Sequence, residues 1–110
     1  MAKLTRKEVI LMATSSRSFA GMDLSGLDLS RCNLSGCNFQ SANLAHCNIS
    51  RSNLRGCMLD QANLENSDIS RSNLSVADMK SVNLKHADLR GSNPVSYTHL
   101  RAHETSLHLV

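Results

Sequence analysis

The 110-residue sequence predicts an all-β fold, a four-sided solenoid, on the basis of three observations. An apolar residue recurs at every fifth position, a mostly small residue precedes it by two positions, and longer segments recur at twenty-residue spacing. A period of five would spread the apolar residues around an α-helix, or alternate them between the two faces of a straight strand. A fixed period that fits neither element is typical of a solenoid, in which each unit turns the chain by a constant angle.

The apolar column predicts the core of this solenoid. Its members are of medium or large size, and each is expected to point toward the axis, with Phe19 as a candidate first member. The fourteen predicted core residues are Leu24, Leu29, Leu34, Phe39, Leu44, Ile49, Leu54, Leu59, Leu64, Ile69, Leu74, Met79, Leu84 and Leu89.

The residues around each core position follow a pattern of their own. The preceding small residue lets the walls approach one another, and Asp or Asn lies between the two columns in every unit except that of Met58. Stacked asparagines predict ladders of amide side chains that hydrogen-bond from coil to coil. The two remaining positions of each unit vary and hold most of the charge.

The longer echo gives the number of units in a coil. The segments Asp28–Leu34, Asn48–Leu54 and Asp68–Leu74 are nearly identical and lie twenty residues apart. Twenty residues are four units, so each unit turns the chain by about 90° and like faces stack above one another.

Units such as Ala42–His46 and Ala87–Gly91 match the pattern A-(D/N)-L-x-x. On these units the chain resembles the pentapeptide-repeat family from Met22 to about Asn93. The resemblance implies a right-handed quadrilateral β-helix of about 3.5 coils, with coils at the strand spacing of about 4.8 Å. Cys and Ser at the small position depart mildly from the usual Ala.

The chain is predicted to have three segments: a lead-in with a short capping helix at 1–18, the solenoid at 19–93 and a non-repeat tail at 94–110. In the lead-in, Thr5 and Glu8 form a capping box that starts a helix from about Arg6 to Thr14. The predicted helix presents an apolar side, formed by Val9, Ile10 and Ala13, that is expected to cover the first coil. A partner-binding helix is the alternative.

The repeat ends at Pro94, where a core residue was due. The run Val95–Thr105 resembles the translation of a transposase adaptor used in sequencing libraries, so we predict that the tail is an artefact and disordered. The natural protein would then continue beyond Asn93. An exposed last coil is an unpaired edge, which favours end-to-end self-association. The alternative is a metal site at His99 and His103, at helical spacing.

Charge and hydropathy exclude several classes of function. The formal net charge is +3, but basic residues concentrate in the first eighteen positions, and charges of both signs balance from Phe19 to Pro94. This near-neutral body lacks the field of a nucleic-acid binder or of an acidic nucleic-acid mimic. No apolar run is long enough for a transmembrane helix, and we expect a cytoplasmic protein without membrane contact.

The four cysteines, Cys32, Cys37, Cys47 and Cys57, all fall in the small inward column. We predict reduced thiols packed as small hydrophobic groups. A disulfide between Cys37 and Cys57, one coil apart, is the alternative. Neither a zinc-site spacing nor a nucleophile–base arrangement is found, so the sequence predicts no metal, no cofactor and no enzymatic activity.

The best candidate binding surface is an arginine edge. Arg31, Arg51 and Arg71 recur at twenty residues and are expected to stack at about 4.8 Å. Two interpretations remain open: a solvated edge partly paired with Asp28 and Asp68, or a site for an acidic partner or a phosphate.

Three functions fit the sequence, and a protein–protein interaction scaffold with an unknown protein partner fits best. The segments Leu4–Ile10 and Phe19–Ser30 resemble the lead-in and first repeats of eukaryotic BTB/potassium-channel-tetramerisation proteins. That resemblance implies the repeat arm of an adaptor for a cullin ubiquitin ligase. A DNA-mimicking, gyrase-binding protein is the third alternative, which the near-neutral body disfavours.

Overall fold

The computed structural model describes residues 3–93, which form one short helix followed by a stack of five-residue units. Helix α1 spans Arg6–Ala13. The β structure of residues 18–88 consists of single-residue parallel bridges, and every bridge joins residues twenty apart, from Ser18–Asn38 to Asp68–Asp88. No longer strand forms in this part of the chain, because each side of a coil has one extended residue before the chain turns.

Backbone hydrogen bonds join each coil to the next. For example, the N–H of Leu24 donates to the carbonyl oxygen of Asn43 at 2.8 Å, and the N–H of Asn43 donates to that of Met22 at 2.9 Å. The same pair of bonds recurs along each face, so the polar backbone is satisfied while the side chains of the core remain inside.

The last residue of every unit from Gly21 to Gly91 has a positive φ, between 50° at Val76 and 76° at Gly26. The sequence pattern treats this position as free to vary. The structure corrects that interpretation, because the chain can turn at each corner only if this residue adopts the left-handed conformation. Residue type is variable here, whereas backbone conformation is fixed.

All fourteen predicted core residues are buried, with 3% or less of their surface exposed. Phe19 is buried beside them, and its ring stacks on that of Phe39 with centroids 5.1 Å apart. The small column is also buried from Cys32 onward, but Met22 is 36% exposed. Met22 belongs to the first coil, which has another coil on one side only.

Hydroxyl and thiol groups in the small column donate inside the wall of the solenoid. Ser52 Oγ donates to the carbonyl oxygen of Leu29 at 2.6 Å, and Cys57 Sγ donates to that of Leu34 at 2.9 Å. In both cases the acceptor lies twenty-three residues earlier, in the coil before. Ser and Cys therefore fit this position because each is small and finds a partner for its polar atom.

Helix α1 begins with the predicted capping box. The N–H of Glu8 donates to Thr5 Oγ1 at 3.2 Å, and the N–H of Thr5 donates to Glu8 Oε1 at 2.8 Å. The helix ends at Ala13, one residue before the predicted end, and Thr14 is its C-cap.

Two of the three apolar residues that were expected to cover the first coil are buried, namely Val9 and Ala13. Ile10 is 40% exposed, so the expectation that it packs on the coil is wrong. Residue Ile10 lies about 100° around the helix from Val9, whereas Ala13 lies on the same side as Val9.

The N-terminal segment also contacts the first coil through basic side chains. Arg6 donates to the carbonyl oxygens of Asp28 at 2.7 Å and Ser30 at 3.0 Å, and Lys3 donates to that of Ser25. These carbonyl groups lie on the edge that faces away from the second coil.

Between residues 3 and 93, no helix is both long and apolar enough to cross a membrane. The predictions for the tail, including His99 and His103, lie outside the described residues.

Candidate functional site

The three arginines of the predicted edge lie on one corner of the solenoid. Arg31, Arg51 and Arg71 are all exposed, with φ of 58° to 59°. The bridges on both sides of this corner join residues twenty apart, so the three residues stack one above another. Each backbone is held by a bond to the next coil, such as the 3.0 Å bond from the N–H of Arg31 to the carbonyl oxygen of Ser50.

Carboxylates near this corner are engaged elsewhere. Asp28 forms an ion pair with Arg6 at 3.5 Å, and Asp68 Oδ1 accepts the hydroxyl and the N–H of Ser70 at 2.6 and 3.0 Å. Arg31, Arg51 and Arg71 make neither an ion pair nor a side-chain hydrogen bond with any residue of the described 3–93. The expected pairing with Asp28 and Asp68 is therefore not present as a close ion pair or hydrogen bond. Hydrogen bonds from Ser30 lower the pKa of Asp28, and the charges of Arg6 and Arg31 add to this lowering.

Two of these arginines line a shallow groove of about 680 Å³, which we name the arginine groove. Its floor includes Gly91, where an added Cβ would lie 3.1 Å from Cγ of Arg71, so glycine leaves room for the arginine stem. At one end Arg90 pairs with Asp88 at 2.8 Å. The arginine groove is lined by Ser50, Arg51, Asp68, Ser70, Arg71, Asp88, Arg90 and Gly91.

Arg31 faces a different depression, which we name the helix cavity because α1 forms one of its walls. The helix cavity has a volume of about 290 Å³, and it brings Arg31 together with Arg17. Its lining comprises Ile10, Ala13, Thr14, Arg17, Arg31, Cys32, Asn33 and Ser35. The sequence did not predict Arg17 as a site residue, because it lies outside the segments that recur at twenty-residue spacing. The concentration of basic residues in the first eighteen positions was the one signal that pointed to it.

Side chains of the asparagine column form hydrogen bonds within the turn of their own unit more often than they form them between coils. Typically the side-chain oxygen accepts the N–H two residues later, as when Asn53 accepts from Arg55 at 3.0 Å. Coil-to-coil amide bonds of the predicted kind join Asn83 to Asn63 at 3.2 Å and Asn93 to Asn73 at 3.1 Å. The side-chain oxygens of this column are thus occupied by the fold.

All four cysteines are free and buried, Cys37 and Cys57 included. Burial raises the pKa of each thiol, and that of Cys57 reaches about 12. Such thiols are protonated at neutral pH and are poor nucleophiles. Among residues 3–93, no group of three or more His, Cys, Asp or Glu side chains is arranged to hold a metal ion.

The solved structure of alr5209, a pentapeptide repeat protein from Nostoc Pcc 7120, aligns over 100% of this chain and 99% of that chain, at 23% identity and a TM-score of 0.50. Rfr23, a pentapeptide repeat protein from the cyanobacterium Cyanothece 51142, aligns over 94% and 95%, at 19% identity and a TM-score of 0.51.

QnrB1, a plasmid-mediated fluoroquinolone resistance protein, gives a TM-score of 0.58 at 18% identity. The alignment covers 84% of this chain but 55% of QnrB1, about half of its length. Likeness at these identities shows the fold alone, and it confirms the predicted β-helix fold of the repeats. The comparison with curated protein sequences found no match.

The family model described as a pentapeptide repeat region matches residues 14–93, which is most of the chain. This match includes the arginine edge and all fourteen core positions. The chain therefore belongs to the pentapeptide-repeat family.

Proposed function

We propose that this chain is a non-enzymatic protein-interaction scaffold that docks an acidic segment of a protein partner in the arginine groove. The observation that carries the proposal is the stack of Arg51 and Arg71, whose guanidinium groups have no carboxylate partner among the described residues. Both backbones are fixed at rigid corners, so the points from which the two side chains extend are set before a partner arrives.

Electrostatics favours an anionic partner at this stack. Two like charges about 5 Å apart repel each other by about 0.8 kcal/mol in bulk water. A carboxylate placed between Arg51 and Arg71 would remove this repulsion, and guanidinium–carboxylate hydrogen bonds are among the strong ones.

The mixed charge of the groove favours a protein over a nucleic acid. Asp68 and Asp88 line the same groove as the arginines, and a continuous phosphate chain would meet their carboxylates. A protein segment can present both signs of charge in matching positions. The resistance role of QnrB1 is a property of that protein and is not proposed for this chain. A DNA mimic that binds gyrase needs an acidic surface, so the mixed charge of this groove disfavours the gyrase-binding alternative.

The proposal assigns no catalysis to the chain. The thiols that could act as nucleophiles are buried and protonated, and their reduced state fits a cytoplasmic location, which remains part of the proposal. The BTB-adaptor alternative also remains a prediction, because the family match of residues 14–93 concerns the repeats alone.

We further propose that α1 caps a right-handed solenoid of about 3.5 coils. The bonds from Arg6 to the carbonyl oxygens of Asp28 and Ser30 support this role, since they occupy acceptors on the outer edge of the first coil. A covered edge does not pair with a second chain.

The groove can be tested with a fluorescein-labelled peptide of alternating Glu and Gly, and with the matching Lys-Gly peptide as the opposite charge. The double variant Arg51→Gln, Arg71→Gln should weaken binding of the Glu peptide by about tenfold or more, as measured by fluorescence anisotropy. The control is Lys80→Gln, Lys85→Gln, which removes the same charge from exposed positions on other corners.

The control variant should bind the Glu peptide almost as well as the wild type. Equal weakening in the two double variants would mean that net charge alone attracts the peptide, and the groove would be rejected as a site. The proposal also fails if the wild type binds the Glu peptide no better than the Lys peptide.

A further inference from the structure

The helix cavity has two chemically different walls. Ile10 and Ala13 of α1 form an apolar wall, and Arg17, Arg31 and Asn33 form a polar wall opposite. Its volume of about 290 Å³ is close to the lower end for sites that hold small organic molecules.

The apolar wall accounts for the exposure of Ile10. This residue is 40% exposed although α1 lies against the first coil, because its side chain borders the helix cavity. A large aliphatic group beside two cations is a contact surface for the body of an amphipathic ligand.

The lining of the polar wall carries positive charge and contains no carboxylate. The described lining contains neither Asp nor Glu, and neither Arg17 nor Arg31 makes an ion pair or a side-chain hydrogen bond within residues 3–93. The nearest acidic partner along the corner, Asp28, pairs with Arg6 at 3.5 Å. Two guanidinium groups therefore share one cavity whose lining holds no carboxylate.

Both arginines have fixed backbones. The N–H of Arg17 donates to the carbonyl oxygen of Met12 at 2.9 Å, and the N–H of Arg31 donates to that of Ser50 at 3.0 Å. Nη1 of Arg17 lies next to Gly36, 3.6 Å from the place that a Cβ would occupy, which is an ordinary van der Waals distance.

We propose that the helix cavity binds a small organic anion, whose carboxylate or phosphate lies between Arg17 and Arg31 and whose short aliphatic body contacts Ile10. This site lies apart from the arginine groove, so the inference goes beyond the proposed function. The side-chain amide of Asn33 adds a donor, since its oxygen already accepts from Ser35 at 2.9 Å.

The test uses four probes of graded chemistry in NMR titrations of the full chain: N-acetyl-leucine, its uncharged amide, acetate and inorganic phosphate. N-acetyl-leucine should shift the Ile10 methyl resonances at saturation, and its amide should bind about tenfold more weakly or worse, because the charge is lost. Acetate should also bind more weakly, because it lacks the aliphatic body. Inorganic phosphate should bind more weakly than N-acetyl-leucine, because it has the charge but no aliphatic body.

The variants Arg17→Gln and Arg31→Gln should each weaken N-acetyl-leucine binding by about tenfold. Lys85→Gln is the matched control, since it removes one positive charge from an exposed position on another corner and does not line the cavity; it should leave affinity unchanged. Thermal melts of each variant establish that the fold is kept. Because neither Arg17 nor Arg31 lines the arginine groove, failure of one site is distinguishable from failure of the other.

Equal affinity for the acid and its amide would overturn the proposal, as would equal loss in the Lys85→Gln control. Phosphate binding that equals or exceeds that of N-acetyl-leucine would show that the apolar wall takes no part, and would reject an organic ligand.

Discussion

At the scale of the residue, the left-handed corner is the most demanding position in this chain. This conformation destabilises a residue that has a Cβ by roughly 1–2 kcal/mol, whereas glycine adopts it with little strain. Eleven residues other than glycine adopt it in the described chain, including the arginines of the edge. Val76 is the least suited of them, since it is β-branched, 70% exposed and held at a φ of 50°.

Replacing Val76 with Gly should raise the free energy of unfolding by about 1 kcal/mol, because relief of the strained φ exceeds the added freedom of the unfolded chain. Urea unfolding followed by circular dichroism measures the change. Gly56→Val is the reverse control on the same corner one coil earlier, and an added Cβ there meets no atom within 4 Å. It should destabilise; a loss of stability in Val76→Gly would contradict the argument.

Ser72 tests the buried donors of the small column. Its Oγ donates to the carbonyl oxygen of Ile49 at 2.6 Å and accepts the N–H of Ser52 at 3.2 Å. Ser72→Ala should lower the free energy of unfolding by about 1–3 kcal/mol, because both buried groups lose a partner. Ser72→Cys should cost less, since Cys32 already occupies this column. Equal effects of the two substitutions in urea unfolding would contradict the argument that a hydrogen-bonding atom stabilises this position.

At the scale of the element, α1 contacts the first coil both through the side chain of Arg6 and through its buried apolar residues Val9 and Ala13. Arg6→Ala should expose the carbonyl groups of Asp28 and Ser30, and we expect concentration-dependent association through this edge. Analytical ultracentrifugation measures the association. Lys7→Ala removes the same charge from the next residue, which is exposed, and should stay unassociated. If both variants associate equally, net charge rather than the uncovered edge is responsible.

The repeats were predictable from sequence, because burial leaves a periodic record of residue type. Leu54 and Ile69 are apolar because each lies at the inward, buried position of its unit. The corner conformation was not predictable, since Arg, Val and Gly all occupy it and residue type does not report φ. Arg31 could be placed on the edge, but its neighbour Arg17 depends on how α1 packs, which is a tertiary contact without a periodic signal.

At the scale of the whole molecule, the buried thiols couple folding to alkaline pH. Burial raises the pKa of Cys57 from 9.0 to about 12. Above pH 9 the unfolded chain loses this proton while the folded chain keeps it. Stability is therefore full below about pH 9 and falls as the pH rises toward 12, by up to about 1.4 kcal/mol per pH unit for this thiol.

Urea unfolding at about pH 8 and about pH 10.5 measures this loss. In Cys57→Ala the decrease between the two pH values should be smaller than in the wild type, because one of the four titrating thiols is absent. An unchanged decrease would mean that other groups cause it. Reaction with a thiol reagent should likewise follow unfolding, and rapid labelling of the native protein would contradict the buried placement.

The twenty-residue register of the bridges also shapes how such a protein can change over generations. The segments Asn48–Leu54 and Asp68–Leu74 differ only in their first residue, as expected of copies of one ancestral stretch. A duplication of twenty residues adds a complete coil, restores every bridge and lengthens the arginine edge by one residue. An insertion of five residues would instead move every later side chain to the next face. Gene duplication can therefore lengthen the arginine edge without altering its chemistry, whereas shorter insertions would distribute its arginines over different faces.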